Sequence, residues 1–183
     1  MSASKREPGT MRVTMRLRRL IPVIALLACV GCNHTSDDSQ PLPPERRAAV
    51  ESSVRSFVDA VAHDVTEQGP EAWQKHFADD PAFFMAVDGR LVFPDRQAAT
   101  QGIHAFSRIT KRVELRWGND LRIDPLTPTL ALVASSYWEV QTGTDGHQLT
   151  ENGFFTGVAE YQNGRWQFRN AHWSDVVPAP KAP

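Results

Sequence analysis

"WQFRNAHWSD", running from Trp166 to Asp175 near the C-terminus, is the stretch on which the reading of the chain turns. Side chains on a strand alternate between faces. Trp166, Phe168, Asn170, His172 and Ser174 therefore share one face, and Gln167, Arg169, Ala171 and Trp173 the other. The first set opens with large apolar residues and is expected to face the interior, turning from aromatic to polar along the strand. A buried polar group without a partner costs about 1–3 kcal/mol. An inward polar row must pair with other interior groups or open onto a pocket, so the strand is expected to run from a packed base towards a pocket mouth.

Turn chemistry places the neighbouring strands. Asn163-Gly164 joins this strand to "HQLTENGFFTGVAEY", Asp145-Gly146 joins that one to "ASSYWEVQT", and Asp88-Gly89 joins "AFFMAV" to "RLVF". Such dipeptides suit the type I′ geometry that matches strand twist. "KRVELRWGNDLRID" alternates Val113, Leu115 and Trp117 with Arg112, Glu114 and Arg116, which predicts one more strand. Three helices are predicted. The first starts at Pro44, which suits an opening turn, and aligns Val50, Val54, Phe57, Val58 and Val61 in one stripe. The second, "PEAWQKHFAD", follows Gly69 and carries Trp73 and Phe77 on one face. The third, "RQAATQGIHAFSRI", carries Ala99, Ile103 and Phe106 and is weakened by Gly102. Helix, helix, hairpin, helix and then an antiparallel meander define an α+β domain whose helices cover one sheet face.

This order, with the ending "NGRWQFRNAHWS", resembles the SnoaL-like branch of the nuclear transport factor 2-like superfamily. There the last hairpin reads Gly-x-Trp-x-x, then a His two residues before a terminal Ser. Gly164, Trp166, His172 and Ser174 fit, and Thr156 stands where these families often carry Thr. The resemblance covers residues 45–176. It implies a cystatin-like cone: a curved antiparallel sheet wrapped around a long N-terminal helix, with a pocket at the open end and a homodimer through the outer sheet face. The superfamily includes isomerases, cyclases, dehydratases and epoxide hydrolases, so the fold alone does not give the chemistry.

The N-terminus reads as an address. "MRLRRL" is basic, "LIPVIALLACV" is a short apolar run from Leu20 to Val30, and small residues with Cys29 and Cys32 follow. The run is too short to span a bilayer, and its order is that of a secretory signal over residues 1–32, starting at Met1, Met11 or Met15. "LLAC" and "CVGC" each resemble the lipobox of bacterial lipoproteins, which makes Cys29 or Cys32 the lipidated residue. Neither following residue, Val30 or Asn33, is the Asp associated with inner-membrane retention. The resemblance thus implies the periplasmic side of the outer membrane. Residues 33–44 read as a polar, Pro-rich tether and residues 177–183 as a Pro-rich tail.

Charge and composition narrow the partners. Of 183 residues, 41% are hydrophobic and 22% charged, which fits one globular domain with appendages. Six basic residues and one acid lie in residues 1–20, leaving 14 basic against 20 acidic residues for the remainder, a net of −6. An acidic domain does not attract phosphate backbones, so nucleic acid is not an expected partner. Beyond Cys32 there is no cysteine, hence no internal disulfide and no thiol nucleophile. The six histidines show no metal-ligand spacing, and there is no P-loop, dinucleotide turn or Gly-x-Ser-x-Gly elbow, so neither metal nor cofactor is expected.

His172 is the sharpest candidate for chemistry, as a hydrogen-bond donor or a general acid or base near neutral pH; the competing reading is a structural tie between strand and helix. Trp138, Thr156, Trp166, Phe168 and Asn170 complete the expected pocket, the aromatics as wall and Asn170 as a polar anchor. On "SSYWEVQ" the apolar argument sends Trp138 inward and Glu139 outward, which leaves Glu139 a doubtful base. Asp88 is explained by its turn, Asp79 and Asp80 by a helix end, and Glu151 and Glu160 fall on opposite faces. Three functions are compatible with these residues. The first is a binder of a small, partly apolar molecule, without catalysis. The second is an isomerase or hydratase-type enzyme using His172. The third is an assembly module, which an exposed Trp173 on the outer face would favour.

Overall fold

The computed structural model describes residues 41–176; the expected signal segment, both cysteines and the tail lie outside the described residues. Helix α1 spans Pro44–Gln68 and buries Val50, Val54, Phe57, Val58 and Val61, with Val65 extending the stripe by a turn. The single helix expected after Gly69 is instead a 3-10 turn, Pro70–Ala72, followed by a short α2, Trp73–His76. Phe77 leaves the helix for extended backbone because it bridges to Phe168 in parallel, with its ring buried. Strands β1 (Phe84–Val87) and β2 (Arg90–Phe93) form the first hairpin, turned by Asp88 and Gly89 at φ 48° and 75°. Helix α3 covers Arg96–Ile109, capped by Asp95, whose carboxylate accepts from the Ala98 N–H at 2.7 Å.

Five strands follow: β3 (Thr110–Trp117), β4 (Arg122–Thr127), β5 (Leu130–Gly143), β6 (Gln148–Gln162) and β7 (Arg165–Asp175). "KRVELRWGNDLRID" is thus two strands, not one. They are divided at Gly118–Leu121, where the Asp120 carboxylate accepts from the Ser136 N–H at 2.9 Å and hydroxyl at 2.8 Å. Both strands pair with β5, β4 against its first half and β3 against its second. Asn163-Gly164 makes the expected tight turn, with φ 53° and 82°, but Asp145-Gly146 does not. There only Gly146 has positive φ, and residues 144–147 form a longer loop closed by Gly143 N–H to His147 O at 2.8 Å.

The sheet order is β2-β1-β7-β6-β5-β3, with β4 also on β5. Every pairing is antiparallel except β1 with β7. The sheet curves around α1, tied by hydrogen bonds from Trp117 Nε1 to Val58 O at 2.9 Å and Trp166 Nε1 to Ser53 Oγ at 2.8 Å. The fold class is therefore the expected α+β one.

An irregularity in β7 decides which of its side chains reach the interior. Along β6–β7, Val158 pairs with Asn170 and Ala159 with Phe168, so Arg169 is an extra residue on β7. Such a bulge resets the alternation of faces. Phe168 points inward, and beyond the bulge Ala171 and Trp173 take the inward positions while His172 is exposed.

Candidate functional site

A cavity of about 400 Å³ opens between the concave sheet face, α3 and the β1–β2 hairpin. Its apolar walls are Trp73 and Phe77 from the α2 region, Met85 and Val87 from β1, Val92 and Phe93 from β2, Gly102, Ile103 and Phe106 from α3, and Trp173 from β7. The remaining wall is polar: Tyr137, Glu139 and Gln141 of β5, Glu151 of β6 and Asp175 of β7. Alternation along β5 carries the three β5 residues to one face, and the ladder places Glu139 opposite Glu151 and Gln141 opposite Leu149.

The polar groups are bonded to one another. The Tyr137 hydroxyl donates to Asp175 Oδ1. The Gln141 amide nitrogen donates to Glu139 Oε1 at 2.8 Å and to Glu151 Oε2 at 2.9 Å. The backbone N–H of Asp175 donates to Asp88 Oδ1 at 2.8 Å, so the turn aspartate also fixes the end of β7. Burial pushes the Glu139 carboxyl up to about 7, Glu151 and Asp175 pushing the same way and the Gln141 bond opposing them. Glu151 is raised as well, by burial and then by Asp175 and Asp88. Burial and the bond to Asp175 raise the Tyr137 hydroxyl, which stays protonated at neutral pH. Among the described residues, no three His, Cys, Asp or Glu side chains are arranged to hold a metal ion.

None of the six residues expected to line the pocket lines this cavity. His172 is exposed and sits opposite Thr156 on the outer face. Trp138 is also outside, its ring under the Arg116 guanidinium at 5.1 Å. Asn170 donates from its side chain to Ala82 O at 3.2 Å. Trp166 is buried beneath α1, and Phe168 is fully buried between Phe57 and Phe155, at ring distances of 4.8 and 5.0 Å. Trp173, expected outside, is buried inside against Trp117, Tyr137 and Phe155. Glu139, expected outside, is in the polar wall. Its neighbour Trp138 misled the assignment because β5 is apolar on both faces. Ala131 and Val133, earlier on the strand and fully buried, share the face of Tyr137 and Glu139 and carry the signal that was missed. Glu151 and Glu160 do fall on opposite faces, Glu160 lying 3.5 Å from Arg169.

Chemically, the arrangement presents an apolar body of cavity to a small molecule, a set of acceptors at one side, and one carboxyl able to exchange a proton near neutrality.

Neither the protein-family models nor the curated proteins give a match to the sequence. Solved structures do. A Novosphingobium aromaticivorans protein, for which scytalone dehydratase activity has been suggested, superposes with a TM-score of 0.64 at 13% identity, covering 73% of this chain and 88% of its own. A nuclear transport factor 2-like superfamily protein from Salmonella enterica serovar Typhimurium gives 0.61 at 11%, covering 74% and 96%. A Caulobacter vibrioides protein of cystatin-like fold gives 0.56 at 18%, covering 71% and 92%. At these identities the likeness establishes the fold alone: a nuclear transport factor 2-like one, as the order of elements with the C-terminal ending suggested.

Proposed function

We propose that the protein binds a small, partly apolar molecule in this cavity, with Glu139, Glu151, Asp175 and Tyr137 as its polar anchors. The observation that carries the reading is the cavity itself: roughly 400 Å³, walled by aromatic and aliphatic side chains, with its polar groups gathered on one side. That is the composition ligand clefts favour. The test is to express the full chain with its own N-terminus, extract the purified protein with solvent and look for a small molecule by mass spectrometry. Wild type should carry one and Val87→Phe, which fills the cavity, should not. An empty wild type, or equal loading of both proteins, would sink the reading.

A second reading has its own support. A carboxyl at about 7 inside a cleft is suited to general acid–base work, and a dehydratase activity has been suggested for one structural neighbour. The enzyme would be of isomerase or hydratase type, with Glu139 in the role first expected of His172. Turnover of a carbonyl or epoxide probe that disappears in Glu139→Gln would support it. Turnover unchanged in that variant would remove it.

We also propose that the domain is lipid-anchored through Cys29 or Cys32 on the periplasmic side of an outer membrane, and that it pairs with a second copy through the outer sheet face. The basic, apolar and small-residue order of residues 1–32 supports the first. Leu132 and Phe154, each 42% exposed, support the second. A clickable fatty acid should label the wild type, and one of Cys29→Ala and Cys32→Ala should abolish the label. Labelling of neither wild type nor variants would remove the anchor.

A further inference from the structure

The polar wall of the cavity is built from acids and neutral donors alone. Glu139, Glu151 and Asp175 reach it from three adjacent strands, and no Lys, Arg or His lines the cavity. None of the three is in an ion pair among the described residues. Their donors are the Tyr137 hydroxyl, given to Asp175, and the Gln141 amide nitrogen, shared by Glu139 and Glu151. That nitrogen has two hydrogens, and both are engaged. One oxygen of each carboxylate is served in this way, so each retains an oxygen that these donors leave free. Aromatic rings line the same cavity, Trp73, Phe77 and Trp173 among them.

We infer that the cavity selects a small organic cation, an apolar body bearing a primary ammonium group, rather than a neutral or anionic ligand. This rests on the reading of the cavity as a binding site and adds the charge of what enters it. An ammonium group has three N–H donors and no acceptor, which suits a wall whose free polar atoms are carboxylate oxygens, and charge-assisted bonds of this kind are the stronger class. Its body would lie on the aromatic wall, where ring faces also attract cations. An anion would meet up to three like charges with no compensating base. A bare metal ion does not suit the same acids, because they do not converge as a metal's ligands do.

Binding of a cation must be linked to protons. The groups facing Glu139 are Tyr137 on its own strand, Glu151 on β6 and Asp175 on β7, with Asp88 behind them; α2, β1, β2 and α3 contribute no titratable group to the cavity. Glu139 carries its proton below about 7. A cation pulls that proton off, so affinity should fall as pH drops below 7, by up to about tenfold per pH unit.

The experiment uses the full chain in detergent, with micelles alone as reference, and three probes of one shape: 2-phenylethylammonium, 2-phenylethanol and phenylacetate. Calorimetry at pH 8 should show the ammonium probe binding at least tenfold more tightly than the alcohol, with phenylacetate weaker still. Titrations at pH 5.5 should weaken the ammonium probe and leave the alcohol unchanged. The doubly substituted Glu139→Gln, Glu151→Gln protein should lose the preference for charge. The comparison of probes on wild type stands even if that protein fails to fold. Equal or tighter binding of the alcohol or the acid would overturn the inference and leave the cavity as a binding site. Binding of none of the three would overturn both.

Discussion

Glu139 and His76 pull the stability of the domain in opposite directions as pH changes. Burial, then Glu151 and Asp175, raise Glu139 from 4.5 to about 7. Between those values the folded chain holds a proton that the unfolded chain has released, so stability falls as pH rises through that window. The full loss above pH 7 is on the order of 3 kcal/mol. His76 is buried under Phe57, with Nε2 3.0 Å from Asp64 Oδ2. Burial depresses it from 6.5 to about 4, with the Asp64 charge opposing. Between 4 and 6.5 the unfolded chain binds the extra proton, so stability rises with pH there. Where the windows overlap, pH 4.5 to 6.5, these two slopes oppose each other. Relative to wild type, Glu139→Gln should tilt the profile towards a rise with pH, and His76→Leu towards a fall. Urea denaturation at several pH values checks this; parallel profiles for wild type and Glu139→Gln would mean that Glu139 ionises as it does in water.

At the scale of elements, the β7 bulge decides which residues matter. Trp173 meets Trp73, Trp117, Tyr137 and Phe155 with ring centroids 4.7–5.7 Å apart, so Trp173→Ala should cost about 3–5 kcal/mol. His172→Ala should change stability by no more than about 0.5 kcal/mol, as exposed positions do. Calorimetric unfolding of the two variants separates this strand from a regular one, in which their ranks would be reversed. Helix α3 offers a second test. A Cβ at Gly102 would lie 2.2 Å from Phe93 Cε1, and both residues line the cavity. Ala in place of Gly favours the helix by about 1 kcal/mol, which offsets the displaced ring. Gly102→Ala should therefore melt close to wild type yet retain less ligand; full retention would show that Phe93 does not shape the cavity. The α1 stripe and the turns at Asp88-Gly89 and Asn163-Gly164 were legible because each is set by local chemistry. The faces of β7 and β5 were not. Nothing in "FRNA" marks Arg169 as the extra residue, and on β5 Trp138 and Val140 compete with Ala131 and Val133 for the interior.

For the whole molecule, the outer sheet face leaves Leu132 and Phe154 open. Leu132, Val158 and Asn170 form one row across β5, β6 and β7, and Ser136, Phe154 and Ser174 another. A pairing of copies there would cover Leu132 and Phe154 without disturbing the cavity on the opposite face. Phe154→Glu should convert a sedimenting dimer to a monomer with its ligand content unchanged; a monomeric wild type would remove the pairing. The sheet order bears on how the molecule comes into being. β7 lies between β1 and β6, and Phe84 of β1 pairs with Asn170, 86 positions later in the chain. The last strand of the described domain to be made is thus a middle strand of the sheet, and Met85, Val87, Trp173 and Asp175 cannot meet until it arrives. Partners so distant in sequence slow collapse. A nascent chain of this order leaves its cavity unformed until β7 has been made, so the binding site is among the last parts of the domain to exist.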